Sequence, residues 1–135
     1  LETILLDSSS DQVAWNIDQI RELGIDIELD DFGTGYASIV SLMQLRPKML
    51  KIDRQLIMPI TQSVTQKELV QSIVNIGSAL GIGCVAEGVE TMEHAKIVAE
   101  LGCKTLQGFG LARPMSGRAF ANFVRKTKKN PLRVA

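Results

Sequence analysis

The sequence is poor in the features that mark several common classes of protein. It has two cysteines, Cys84 and Cys103, and no apolar run close to the ~20 residues that span a bilayer. The spacing of the cysteines is not that of a zinc site, so we expect buried free thiols in a cytoplasmic protein. We also expect no signal peptide. These features disfavour a disulfide-rich, zinc-binding or membrane-spanning segment.

Excess charge is absent as well. The 15 basic and 15 acidic residues give a net charge of zero, so no overall field attracts nucleic acid or an anionic membrane, and we expect contact with neither. The only histidine, His94, lies within a predicted helix, which leaves no candidate triad for nucleophilic catalysis. We expect His94 to be at the surface or lightly packed, without a catalytic role.

What is present is typical of one folded domain. The chain has 135 residues, of which 45 % are hydrophobic and 22 % are charged, and this is enough for a core of its own. Its first residue is Leu1, and residues 1–6 have the pattern of a strand end, so we expect a piece of a longer protein. We predict a domain at residues 1–124 and a basic tail at residues 125–135.

Strand-like and helix-like patterns alternate along the chain. Short apolar or alternating segments predict strands at residues 25–29, 49–52, 83–86 and 105–106. Gly24, Gly81 and Gly102 each follow a leucine that ends a predicted helix. Such alternation predicts parallel strands joined by right-handed crossovers. The fold class is therefore α/β, either half of an eight-stranded βα barrel or a small doubly wound sheet.

The helices between these strands have recognisable starts. Residues 37–45 form one predicted helix, and residues 53–63 form a predicted loop. After that loop, a capping box at Thr65 and Glu68 predicts a helix that buries a stripe of Leu69, Ile73, Ile76 and Leu80. Thr91 and Ser116 are predicted to start the last two helices, and the final one carries Phe120, Phe123 and Val124 on one side.

Polar side chains collect where the predicted strands end. They are Asp30, Asp31, Lys51, Asp53, Glu87, Glu90 and Gln107. The carboxyl ends of parallel strands form the edge at which α/β proteins bind ligands, so we expect these side chains to converge. Strand parity agrees, because Asp30 and Lys51 share the face opposite to Ile25, Ile27 and Leu29.

Adjacent carboxylates repel each other unless a cation lies between them, and oxygen ligands suit Mg²⁺ or Mn²⁺. Carboxylates and a lysine around one pocket fit metal-assisted phosphoryl chemistry. In such chemistry the cation lowers the pKa of a bound water, and the lysine orients that water or neutralises charge on phosphorus.

Structural interpretations of the same residues remain open. Asp30 and Asp31 could cap the next helix, Lys51 could be solvated, and Glu87 and Glu90 could interact with a helix dipole. Residues 33–35, Gly-Thr-Gly, resemble the start of a dinucleotide-binding turn. However, Ser38 occupies the third glycine position, and the preceding acids would repel a pyrophosphate.

Four motifs give the chain a resemblance to a known family. They are Asp-Asp-Phe-Gly-Thr-Gly-Tyr at 30–36, Leu-Lys-Ile-Asp-Arg at 50–54, Ala-Glu-Gly-Val-Glu-Thr at 86–91, and Gln-Gly-Phe at 107–109 running to Arg-Pro at 113–114. In order and spacing they resemble the EAL domains, the cyclic di-GMP phosphodiesterases of bacterial signalling. The resemblance implies the C-terminal half of a TIM-like barrel, a dimer, a two-metal site for Mg²⁺ or Mn²⁺, and hydrolysis of cyclic di-GMP to the linear dinucleotide.

The resemblance also implies a role for each motif residue. As metal ligands it implies Asp30, Asp31 and Glu87. As catalytic residues it implies Lys51, which contacts the nucleophilic water, and Glu87, as general base or ligand of the second metal. Asp53, Glu90 and Gln107 would line the substrate site. Glu2, Gly33 and Thr34 would stabilise the loop at residues 33–36, which in the family links the metal site to the dimer interface.

Some family features are missing from the sequence. The Glu-Ala-Leu segment, an asparagine ligand and a further glutamate ligand have no counterpart in these residues, while Lys104 and Phe109 replace a usual acid and a usual tyrosine. We therefore expect the isolated 135 residues to be inactive, and to self-associate or to pair with a missing N-terminal half. The alternative is a non-catalytic EAL-like module that binds cyclic di-GMP or a protein partner.

Overall fold

The computed structural model describes residues 11–35 and 38–129. The expectations for Glu2, for a strand end at residues 1–6, for Tyr36 and for the last residues of the basic tail lie outside this part of the chain.

Helices and strands alternate through the described residues. In chain order they are α1 (Asp11–Glu22), β1 (Glu28–Phe32), α2 (Ile39–Leu45), β2 (Met49–Ile52), α3 (Arg54–Ile57), a 3-10 turn (Met58–Thr61), α4 (Val64–Ala79), β3 (Gly83–Ala86), α5 (Met92–Glu100), β4 (Thr105–Leu106) and α6 (Gly117–Lys129). Among these residues no helix is both long and apolar enough to cross a membrane.

Within the described residues, four strands form one parallel sheet in the order β1-β2-β3-β4. The predicted α/β class with parallel strands is confirmed, and β2, β3 and β4 occupy the predicted residues. The position predicted for the first strand was wrong, because pairing with β2 begins only at Glu28, opposite Met49. Gly24 has a left-handed φ of +74° and turns the chain after α1. The residues that follow it connect this turn to β1 and lie outside the sheet, so Ile25 is 53 % exposed.

The core lies between the sheet and the helices. The fully buried side chains include Leu29, Leu50 and Ile52 of the sheet, and Leu42 and Val70 of the helices. The stripe predicted for α4 was only partly right, since Ile73 is buried but Leu69 and Leu80 are 45 % and 37 % exposed. The helix buries an arc that includes Val70 and Val74 instead, because it packs on the 3-10 turn and on β3.

The predicted loop at residues 53–63 is largely helical. Asp53 caps α3, its Oδ1 accepting a hydrogen bond from the Gln55 amide at 2.7 Å. Ser63 caps α4, accepting from the Gln66 amide at 3.2 Å, so the predicted capping box at Thr65 was wrong.

The helix α5 begins as predicted, because the Thr91 hydroxyl accepts a hydrogen bond from the amide of His94. The surface position predicted for His94 was wrong, since the residue is only 6 % exposed. Its Nε2 lies 3.1 Å from the carbonyl oxygen of Met58, and its Nδ1 lies 2.9 Å from the Thr91 hydroxyl. His94 therefore connects α5 to the 3-10 turn.

Two other expectations concern the cysteines and the C-terminal boundary of the domain. Both cysteines are buried free thiols, as expected. Helix α6 runs from Gly117 to Lys129, so the domain boundary predicted at residue 124 falls inside a helix.

Candidate active site

A β-bulge positions the two adjacent acids. Leu29 pairs with Leu50 and Phe32 pairs with Ile52, so Asp30 and Asp31 together lie opposite the single residue Lys51. Neighbouring side chains of a regular strand point to opposite faces, and a bulge re-aims one of them. Asp31 has the left-handed φ of 53°, and its amide donates to Asp30 Oδ1 at 3.1 Å. The bulge thus lets both carboxylates reach one site.

Lys51 lies at the centre of this site. It belongs to β2, which runs between β1 and β3, and its Nζ is 2.7 Å from Asp30 Oδ1 and 2.7 Å from Glu87 Oε1. The hydrogen bond from Lys51 lowers the pKa of Asp30 below its usual value, although partial burial opposes this. Burial alone would lower the pKa of Lys51, but its hydrogen bonds to Asp30 and Glu87 outweigh that effect and raise the pKa. Both residues are therefore charged at neutral pH.

The three predicted metal ligands come together. Asp30, Asp31 and Glu87 each offer a carboxylate oxygen, and these oxygens lie within 4.8 Å of one another. Hard divalent cations such as Mg²⁺ and Mn²⁺ bind oxygen ligands of this type. Three carboxylates beside one ammonium also leave an excess of negative charge, which a divalent cation would balance. The donor set and its charge fit such an ion.

A cleft of about 590 Å³ opens beside the acids. Its walls include Asp31 and Glu87 together with Asp53, Glu90 and Gln107, the three residues predicted to line a substrate site. Asp53 is only 8 % exposed, and its carboxylate also caps α3, so its position has a structural cause as well. All the predicted metal, catalytic and substrate residues are thus at one edge of the sheet, in or beside the cleft.

The cleft also contains two arginines, Arg54 and Arg113, for which the sequence predicted no role. Arg54 Nη2 lies 3.5 Å from Glu90 Oε1, and the guanidinium of Arg113 lies 4.9 Å from the centre of the Phe109 ring. Arg54 directly follows the Lys-Ile-Asp segment, which places it at the same strand end. Its position in the motif was a signal that could have identified it.

Backbone hydrogen bonds hold the loops of the site in place beyond the strand ends. The amide of Glu87 donates to Ile52 at 3.1 Å, and that of Gln107 donates to Ala86 at 2.9 Å. The amide of Val89 donates to the Gln107 carbonyl oxygen at 3.0 Å. Pairing between neighbouring strands therefore continues into the loops that carry Glu87, Glu90 and Gln107.

The loop after β1 is anchored differently. The Thr34 hydroxyl donates to the Asp31 carbonyl oxygen at 2.9 Å. Gly33 has a φ of +106°, and a Cβ at this position would collide with the side chain of Leu56. The hydrogen bond of Thr34 is local, whereas Gly33 lies against Leu56 of α3, and the loop-stabilising role predicted for Gly33 and Thr34 stays a prediction.

Comparison with known proteins identifies the family. Residues 2–114 match the EAL domain. The chain belongs to the EAL domain family. EAL domains have a TIM-like barrel fold, and the four parallel strands with their helices form part of such a barrel.

Several EAL proteins resemble the chain over most of its length. The cyclic di-GMP phosphodiesterase NbdA of Pseudomonas aeruginosa is 38 % identical over an alignment 127 residues long, which covers 89 % of this chain and 16 % of NbdA. The MucR phosphodiesterase of the same species, solved in complex with c-di-GMP, superposes with a TM-score of 0.77 at 38 % identity, over 84 % of this chain and 46 % of that one. BlrP1 of Klebsiella pneumoniae, solved with manganese and the same dinucleotide, superposes with a TM-score of 0.75 at 35 % identity. The match covers 81 % of this chain and 28 % of the BlrP1 chain. The chain thus spans less than half the length of each of these proteins.

Proposed function

We propose that these residues form part of a cyclic di-GMP phosphodiesterase domain, which in its complete form hydrolyses the dinucleotide to the linear product with Mg²⁺ or Mn²⁺. The observation that supports this most directly is the convergence of Asp30, Asp31 and Glu87 around Lys51, at the edge of a cleft that also contains Gln107. The family and the manganese complex of BlrP1 agree with such a site.

The acids and the lysine have separate roles in this proposal. Asp30, Asp31 and Glu87 hold the cation, which when bound supplies Lewis-acid chemistry, acidifying a water and stabilising charge on the phosphate. Lys51 orients the attacking water and faces the charge that develops on the phosphoryl oxygens. Glu87 lies beside Lys51 and can accept the proton that the water loses.

The rest of the cleft would bind the nucleotide. Glu90 offers a carboxylate to the N–H groups of a guanine base, and Gln107 offers both an amide donor and an acceptor. Arg113 stacked on Phe109 forms a flat surface of the kind on which bases pack. Arg54 adds positive charge towards the phosphates, although its ion pair with Glu90 reduces that contribution.

The proposal is tested by Asp31→Asn in an EAL domain that contains these residues together with the missing metal ligands. We expect hydrolysis of cyclic di-GMP in Mn²⁺, followed by chromatography of the linear product, to fall by at least about a hundredfold, because a metal ligand is lost. Asp26→Asn is the matched control, since Asp26 pairs with Lys48 at an exposed position outside the cleft.

Wild-type turnover by the Asp31→Asn protein would contradict the proposal. Binding of cyclic di-GMP without turnover by the unmodified domain would identify a non-catalytic module instead. We further propose that a polypeptide of these 135 residues alone is inactive, and turnover at the rate of a complete domain would contradict that.

Exposed apolar surface supports a further part of the proposal, namely association with another part of the domain or with a second copy. Helix α2 leaves Ile39, Val40 and Met43 between 52 % and 61 % exposed. Soluble proteins rarely leave such patches uncovered. Sedimentation of the 135 residues should therefore show self-association at micromolar concentration, and a well-folded monomer would contradict it.

A further inference from the structure

Lys51 contacts two of the proposed metal ligands, and these contacts form without a metal ion. It lies on the central strand β2, while Asp30 belongs to β1 and Glu87 follows β3. Its ammonium is 2.7 Å from an oxygen of each acid. One side chain therefore connects two carboxylates that are carried by different strands.

The three acids repel one another when no cation is present. Asp30, Asp31 and Glu87 place three like charges within a few ångströms of one another, and Asp30 and Glu87 are only partly exposed to water, whereas Asp31 is exposed. Repulsion between partly buried carboxylates is strong, because the protein screens charge less than water does. The Lys51 side chain is 19 % exposed and supplies the opposing charge from inside the cluster.

The same charge acts against a metal ion. An ammonium that contacts both Asp30 and Glu87 repels a cation that approaches them, and it uses the same carboxylates as partners. We propose that Lys51 is the resident counter-ion of the metal-free site, a positioning residue that holds Asp30 and Glu87 in place and competes with the first divalent cation for them. The inference rests on the proposed function, since it concerns the cation site of that phosphodiesterase.

The competition can be measured without any enzyme assay. In an EAL domain that contains these residues together with the missing metal ligands, Lys51→Met removes the ammonium while it keeps most of the apolar stem. We expect it to bind Mn²⁺ about tenfold more tightly than the unmodified protein, as measured by electron paramagnetic resonance of the free ion with Mn²⁺ alone as the probe. In EDTA we expect the urea midpoint of the same variant to fall, because the acids lose their counter-ion.

Control variants separate these effects from a general loss of charge. Lys48→Met makes the same chemical change at an exposed ion pair with Asp26, and it should alter neither the Mn²⁺ affinity nor the midpoint in EDTA. Lys51→Gln keeps a hydrogen-bond donor without the charge. It should reproduce the tighter Mn²⁺ binding even if the methionine variant fails to fold.

The outcomes distinguish this inference from the proposed function. Equal or weaker Mn²⁺ binding by both variants of Lys51, while the unmodified domain binds the ion, overturns the competition and leaves the phosphodiesterase proposal standing. An unchanged midpoint in EDTA overturns the positioning role. If neither that domain nor its variants bind Mn²⁺ at millimolar concentration, both the competition and the metal site of the proposed function are wrong.

Discussion

Gly108→Ala should disrupt the loop that carries Gln107. Gly108 lies against the main chain of Val89, where an added Cβ would be 2.6 Å from the carbonyl carbon and closer still to the nitrogen and oxygen. Because the obstacle is backbone rather than a flexible side chain, the two loops must move apart. That movement strains the hydrogen bonds from the Val89 amide to Gln107 at 3.0 Å and from the Gly110 amide to Val89 at 2.9 Å.

The cost can be worked from these contacts. Overpacking of a tight site costs about 1–3 kcal/mol, and each weakened hydrogen bond adds about 1 kcal/mol. With two such hydrogen bonds, we expect the free energy of unfolding to fall by about 3–5 kcal/mol, a large share of the stability of a small domain. Urea denaturation followed by circular dichroism measures this change.

Gly117→Ala is the matched control for that experiment. A Cβ at Gly117, in the first turn of α6, meets nothing within 4 Å, and alanine favours a helix. The control should therefore leave the stability unchanged or raise it slightly. A Gly108→Ala protein within about 0.5 kcal/mol of wild type would refute the close packing of the two loops.

Three further predictions concern stability. Leu50→Ala should lower the free energy of unfolding, measured in urea, by about 2–5 kcal/mol, because Leu50 is fully buried. Leu69→Ala should lower it clearly less, since Leu69 is 45 % exposed. Equal losses in the two variants would contradict the assigned core. Asp53→Ala should cost about 1 kcal/mol in thermal melts, since α3 loses its cap, and an unchanged melting temperature would argue against that role. Burial, with a smaller contribution from Cys84, raises the pKa of the Cys103 thiol to about 12. The thiol of the folded protein thus stays protonated to a higher pH than the thiol of the unfolded chain. The free energy of unfolding should therefore decline by up to about 1.4 kcal/mol per pH unit as the pH rises from about 9 towards 12. In Cys103→Ala this decline should be shallower, and an identical slope would contradict the raised pKa.

Much of the sheet was predictable from local signals. The strands β2, β3 and β4 follow a proline or a glycine turn closely, and so their limits are visible in the sequence. The strand β1 was misplaced because the alternation at residues 25–29 begins before the chain reaches its neighbour. The start of β1 is defined only by the pairing of Glu28 with Met49. The sequence of residues 25–32 alone does not indicate where that pairing begins.

Long-range partners account for the other differences. His94 is buried because it meets the carbonyl oxygen of Met58, 36 residues earlier in the chain, and helical periodicity carries no trace of that contact. The buried arc of α4 likewise depends on the 3-10 turn, which looked like a loop in the sequence.

The residues of the site were easier to predict than its geometry. Chemistry and strand ends pointed to Asp30, Asp31, Lys51 and Glu87, and the structure brings these side chains together. The bulge that makes this possible was not predicted, because it becomes visible only when β1 is aligned with β2.

That bulge makes the site depend on the number of residues in β1. Deleting either aspartate would restore one-to-one pairing between Leu29 and Phe32 on one side and Leu50 and Ile52 on the other. The strand would then be regularly paired, without a bulge, and a single acid would lie opposite Lys51. In homologous sequences, a one-residue gap at this point would therefore mark the loss of the proposed metal site even where every other motif is intact.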